Sequence, residues 1–265
     1  MKNINSKKPR GAITRGKTTK NRLRQTDHFL LLYDRNLITS QSESVVVDLG
    51  YGFEAITTLE LAEKFWKVNP HLKIIGVEID LERVEKAKPY ENQLLEFRHG
   101  GFNIPLRTGE TIRLVRAFNV LRQYPEDQVV SAWSEMSNGM VEGGILMEGT
   151  SNPSGGIWVA NILRYKNNNL SDEGLVFFTN FRQKLDLDDF KARLPKNLIH
   201  RMIPGERIYN FFENWQTALN ITIGEKSWGD KHWFGAAVCE LRRMGINVNT
   251  DKKLVNRGFM VLRNF

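Results

Sequence analysis

Cysteine, histidine and long apolar runs are all scarce in this chain of 265 residues. The single cysteine, Cys239, excludes an internal disulfide and fits a reducing compartment such as the cytoplasm. It stands among apolar neighbours on a predicted helix, which reads as a buried, inert thiol. The five histidines show no paired metal-ligand spacing, so no metal site is expected. No apolar run approaches the ~20 residues of a membrane span. The basic N-terminus has no apolar segment behind it, so a secretory signal is not expected either. Acids are missing from residues 1–26, which hold nine Lys or Arg. The rest of the chain is close to neutral, so the formal charge of +8 and the pI near 9.5 belong to this stretch. Without apolar periodicity, it reads as a disordered basic arm of the kind that engages RNA through phosphate contacts, or as a solvated tail; whether it instead folds over the site is left open by the residues.

Against these absences stands one dense stretch. Val45, Val46 and Val47 form a β-branched apolar run, the pattern of a strand buried on both faces. Asp48 follows, and then Gly50 and Gly52, which allow a tight turn and close approach of backbone N–H groups to a ligand. Ile56, Leu59, Ala62 and Trp66 recur at helical spacing. Strand, glycine turn and helix N-terminus make a nucleotide-binding corner. A second strand, Lys73–Glu78, ends in an acid able to receive two ribose hydroxyls, with Ile79 beside it.

Two cofactors compete for this corner. Gly50-x-Gly52-x-x-Ala55 with Glu78 matches a dinucleotide fingerprint and would make the chain a nicotinamide-dependent oxidoreductase. Asp48 argues otherwise, because a carboxylate at the strand end would repel a pyrophosphate and suit a ligand bearing an ammonium and a sulfonium. On these residues the chain resembles the class I S-adenosylmethionine-dependent methyltransferases over roughly 45–150 and again near 230–265. The resemblance implies a Rossmann-like doubly wound α/β fold: a mostly parallel seven-stranded sheet with an antiparallel C-terminal strand. It also implies S-adenosyl-L-methionine as cofactor, with Asp48, Gly50 and Gly52 around its methionine part and Glu78 on the ribose. Phe102 would wall the adenine, Ile79 would belong to the cofactor site, and Asn119 would line the site at the exit of the fourth strand. Glu54 replaces the family's third glycine, and Gly101 stands where an adenine-contacting acid is common. Asn119-Val120-Leu121-Arg122 lacks the Asn/Asp-Pro-Pro-aromatic pattern of enzymes that methylate base amino groups.

Further strands are expected at 94–97, 112–121 and 143–148, and Asp80 is placed to cap the helix after the second strand. Asp27 is expected to cap a helix over 28–38. Residues 151–229 read as an α+β insertion after the fifth strand, with an Asn-rich hairpin between 157–164 and 174–181. Lys196, His200, Arg201, Lys231 and His232 are its polar candidates for acceptor selection. A helix over 231–244 and two short strands, 246–248 and 258–265, close the sheet. Three units follow: a basic arm (1–26), a cofactor domain (27–150 with 230–265) and a substrate-recognition insertion (151–229). The expected activity is direct in-line methyl transfer, with RNA slightly favoured as acceptor over a protein or small metabolite. The alternatives are the oxidoreductase and a non-enzymatic RNA-binding protein on a degenerate fold. No catalytic side chain and no oligomeric state can be read from the residues.

Overall fold

All five residues of β1 (Val45–Leu49) are buried, because parallel neighbours flank the strand and helices cover both of its faces. The computed structural model describes residues 8–13 and 15–263. The first seven residues of the expected arm and the last two of the expected terminal strand lie outside them. From β1 the chain alternates through α3 (Ile56–Trp66), β2 (Ile74–Glu78), α4 (Leu81–Ala87), β3 (Leu95–His99), β4 (Ile112–Phe118), α5 (Val129–Met136) and β5 (Met140–Ser151). Two helices, α1 (Arg24–Tyr33) and α2 (Arg35–Thr39), precede it. β1 to β5 pair in parallel in the order β3-β2-β1-β4-β5. This is the Rossmann-like, doubly wound α/β fold that the resemblance implied.

The sheet has eight strands. After β5 the chain turns straight back as β6 (Ile157–Lys166) and β7 (Asn169–Thr179), each antiparallel to the strand before it. Asn167 and Asn168 make the two-residue turn at φ +50° and +62°, the left-handed conformation that such hairpins require and asparagine tolerates. The α+β insertion therefore follows the fifth strand as expected, but its hairpin is part of the main sheet. The C-terminal β8 (Phe259–Leu262) is antiparallel to β7 at the edge. Val248, from the expected 246–248 strand, makes a single bridge to Leu262.

Alternation along the hairpin assigns its two faces. Trp158, Phe178 and Phe259 turn to one side and pack with Phe29 of α1, at ring separations of 4.8–6.0 Å. Val159, Phe177 and Met260 turn to the other side. They meet α6 (Leu187–Lys191), α7 (Lys196–Ile199), α8 (Arg207–Ile221) and α9 (Asp230–Arg243) through Phe190, Leu198, Trp215 and Phe234. Each fully buried large side chain contributes about 1.5–3 kcal/mol. A short α10 (Lys252–Val255) leads into β8. No helix among the described residues is long and apolar enough to cross a membrane.

Candidate functional site

Gly50 and Gly52 adopt φ +73° and +90°, so the chain can reverse at the end of β1 only because both lack a Cβ. The Glu78 carboxylate, 1% exposed, closes this turn from the end of β2. Its Oε2 accepts the Gly52 N–H at 2.9 Å, and its Oε1 accepts those of Ile79 at 2.9 Å and Asp80 at 3.3 Å. Asp80 caps α4 as expected, accepting the Glu82 N–H at 3.0 Å. Ile79, Phe102, Val120 and Tyr124 wall a slot above Glu78 and Gly50. Phe102 packs on Tyr124 at 5.0 Å between ring centroids. Glu78, Gly50, Ile79 and Phe102 therefore meet at one place, the slot expected for an adenosyl group.

Asp48 does not join them. Its carboxylate accepts from Arg116 Nε at 3.0 Å and from the hydroxyls of Thr57 and Thr58 at 3.1 and 2.8 Å. Arg116 Nη2 adds an ion-pair contact at 2.8 Å. Asp27 binds the same guanidinium from α1, within the helix it was expected to cap. Burial works against the Arg116 charge, but Asp27 and Asp48 outweigh it and hold the group above its ordinary range. Burial pushes the Asp27 carboxyl up to about 6, with Arg116 and Lys64 pulling it back down. Arg116, Thr57 and Thr58 thus hold the Asp48 carboxylate, which lines a second, larger cavity together with Gly50, Gly52 and Asn119.

The basic arm runs across the slot. The Arg10 carbonyl accepts the Phe102 N–H at 2.9 Å, and the Arg10 N–H donates to Asn103 Oδ1 at 2.7 Å. Both backbone groups of Ala12 meet the Tyr124 hydroxyl. The Gly16 carbonyl accepts the Phe53 N–H at 2.9 Å, passing so close that a Cβ on Gly52 would lie 2.3 Å from it. Further on, the Asn21 N–H donates to Glu60, and the Thr19 hydroxyl donates to the Pro153 carbonyl at 2.9 Å. Arg10 also pairs with Glu135. The described part of the arm is therefore held against the body, where composition predicted a free segment. With Arg10–Ala12 in place, the slot encloses about 20 Å³.

Beside it lies a cavity of about 750 Å³ between the arm, the glycine turn and the ends of β4 and β5. Asn119 is on its rim at φ +62°, held there by two bonds to Ser151: its Oδ1 accepts the Ser151 N–H at 3.0 Å, and its Nδ2 donates to the hydroxyl at 3.1 Å. Lys196, His200, Arg201, Lys231 and His232 are absent from its lining. Lys196 and His200 contact each other, Arg201 pairs with Glu126, and His232 pairs with Glu225 at the surface. Cys239 is exposed on α9, a correction to the buried thiol that its apolar neighbours suggested. Among the described residues no cluster of three or more His, Cys, Asp or Glu could hold a metal ion.

The sequence reading missed Arg116 and Tyr124, and left open whether the basic arm folds over the site. Arg116 left a signal, a charged residue directly between Val115 and Ala117 in an otherwise largely apolar strand, since a buried charge requires buried partners. Gly101 left another. A Cβ there would lie 2.0 Å from the Arg10 carbonyl oxygen, so passage of the arm explains this glycine.

No protein-family model matches the chain, and no curated protein matches it. Solved structures similar to it include LepI in complex with S-adenosylmethionine, at 17% identity and TM-score 0.36, over 43% of this chain and 29% of that one. Another is the plantazolicin methyltransferase BpumL with S-adenosylhomocysteine, at 12% identity and TM-score 0.37, over 49% and 47%. A third is the StiE O-MT, at 21% identity and TM-score 0.34, over 47% and 43%. The chain spans less than half the length of each of these proteins. Such scores carry no weight for the fold, which rests on the strand order itself.

Proposed function

We propose that this chain is an S-adenosylmethionine-dependent methyltransferase whose acceptor is a small molecule in the large cavity. The observation that carries this reading is Glu78, a buried carboxylate at the end of β2, facing the glycine turn below the slot of Ile79 and Phe102. An adenosyl group calls for this set: an acid for the ribose hydroxyls, apolar walls for the purine, and a backbone N–H for a ring nitrogen. Glu78 would hold the ribose, Ile79 and Phe102 the adenine, and Gly50 and Gly52 would leave room for the rest. When bound, the cofactor supplies a methyl group on a positively charged sulfur, already activated for in-line displacement.

The protein's part is then to hold the acceptor in line and to exclude water. Asn119, fixed by Ser151 at the cavity rim, is placed to orient an acceptor. Asp48, the one acid among the cavity's lining residues, is committed to Arg116, so no free carboxylate stands ready as a base. The acceptor must present a lone pair or lose its proton to water. Because Arg10 occupies the Phe102 N–H and residues 10–12 fill the slot, the arm must withdraw before adenosine enters. The RNA acceptor suggested by a free basic arm finds no support here, since the arm's described residues lie on the body.

Calorimetric titration of the full chain with S-adenosylmethionine, S-adenosylhomocysteine and NAD tests the reading. Saturable binding of the first two and none of NAD is expected. Binding of NAD alone, or of none of the three, overturns it.

A further inference from the structure

The large cavity has an unbalanced lining. Arg15, Lys17 and Arg22 enter it from the arm, Arg122 from the loop after β4, and Arg193 from the segment after α6. Its one acid, Asp48, is neutralised by Arg116. None of the five cations has an ion-pair partner among the described residues.

Three of the guanidinium groups are held by neutral acceptors, two of them by the same one. Arg22 donates through Nε to the Ser151 hydroxyl at 3.0 Å, through Nη2 to the Ser151 carbonyl at 3.2 Å, and through Nη1 to the Lys17 carbonyl at 2.9 Å. Arg122 Nη1 and Arg193 Nη1 both donate to the Ala192 carbonyl, at 2.9 and 3.2 Å. Two forks thus converge on one oxygen, and most of their remaining donors have no acceptor among the described residues. Burial and the charge of Arg193 together lower the affinity of both Arg22 and Arg122 for their protons. Like charges gathered in a partly desolvated place repel one another unless an anion joins them.

We propose that this cavity binds a small molecule through a phosphate or carboxylate group, held by Arg22, Arg122 and Arg193. Guanidinium forks match the paired oxygens of either group, and three of them around one anion give charge-assisted bonds from several directions. About 750 Å³ suits a small molecule, since ligand pockets span roughly 300–1,000 Å³. Only the word acceptor for this ligand rests on the methyl-transfer reading; the anion site stands on the lining itself. The arm's positive charge then has a use inside the protein: it closes one wall of the cavity with cations.

The test titrates the full chain with pyrophosphate and, separately, with citrate at low ionic strength, in wild type, Arg193→Gln, Arg122→Gln and, as a remote control, Arg242→Gln on α9. Saturable binding of at least one anion is expected, weakened about tenfold by either cavity substitution and unchanged by the control. Preference for pyrophosphate or for citrate distinguishes a phosphate from a carboxylate. If Arg193→Gln lowers stability, circular dichroism shows it, and Arg122→Gln at its exposed position serves alone. No binding of either anion, or binding indifferent to both cavity substitutions, overturns the proposal. So does a short single-stranded RNA that binds far more tightly than both anions and loses its affinity in the same variants. Titration of S-adenosylhomocysteine in the same samples keeps the two readings apart. Anion binding without it sinks only the methyl-transfer reading, and its binding without any anion sinks only this one.

Discussion

The Arg10 carbonyl oxygen lies 2.9 Å from the backbone nitrogen of Phe102 and accepts its hydrogen. On the proposed methyltransferase reading, a segment of the chain thus stands in the place of the cofactor's adenosyl group. Gly101 makes the approach possible, since any Cβ at that position would lie 2.0 Å from the same oxygen.

Replacing Gly101 with alanine should therefore dislodge residues 10–12 while leaving the sheet intact, because Gly101 does not occupy the left-handed region. Trypsin should cut after Arg10, Arg15 or Lys17 several-fold faster in Gly101→Ala than in wild type, with the far-ultraviolet spectrum unchanged. Equal cleavage rates would show that the arm is not held through this contact.

Glu78 and Asp48 should separate cleanly. Glu78→Gln should weaken S-adenosylhomocysteine binding by roughly 1.5–3 kcal/mol, the range for a hydrogen bond to a charged group. Asp48→Asn should act mainly on stability, because its partners are Arg116, Thr57 and Thr58. Paired calorimetric and denaturation curves check the two; a larger loss of affinity in Asp48→Asn reverses the assignment.

Arg116→Met should cost about 3–5 kcal/mol, since it leaves Asp27 and Asp48 buried without a counter-charge. Adding Asp27→Asn to that variant removes one of the stranded charges and should recover part of the loss. Urea denaturation measures both steps. A double variant no more stable than Arg116→Met would mean that Asp27 is already neutral in its absence.

Stability should also depend on pH through Glu148, buried on β5 with Asn161 of β6 as partner at 3.0 Å. Burial pushes its carboxyl up to about 7, and the Asn161 bond holds it lower than it would otherwise be. The folded state thus keeps a proton that the unfolded chain has already released. Stability present below about pH 4.5 is lost as pH rises towards 7, by up to ~3 kcal/mol. Asp27, raised to about 6, adds a loss of the same sign at slightly lower pH. Glu148→Gln should flatten the upper part of this slope; an unchanged slope between pH 5 and 7 would place the titration elsewhere.

Local signals made much of the fold legible. The valine run, the two glycines, Glu78 and the Asp80 cap are each decided within a few residues, and the structure brings them together as expected. The Asn-rich turn was readable too, though its strands run closer to it, to Lys166 and from Asn169, than the expected 157–164 and 174–181. Non-local pairings were not readable. That Asp48 is held by Arg116, 68 residues further on, could not be read from either stretch alone. The arm looked free because many of its contacts are made by backbone groups, those of Arg10, Ala12, Gly16 and Asn21, which composition does not reveal. Cys239 was misplaced because helical spacing was judged from its neighbours and not from the phase of α9, whose buried face carries Phe234, Val238 and Leu241.

The most direct test is amide hydrogen exchange of the full chain with and without saturating S-adenosylhomocysteine. The account predicts that binding slows exchange at residues 50–53 and 78–80 and speeds it at residues 10–16, as adenosine takes the Phe102 N–H from Arg10. Binding that slows exchange at residues 10–16 as well, or no binding at all, would contradict it.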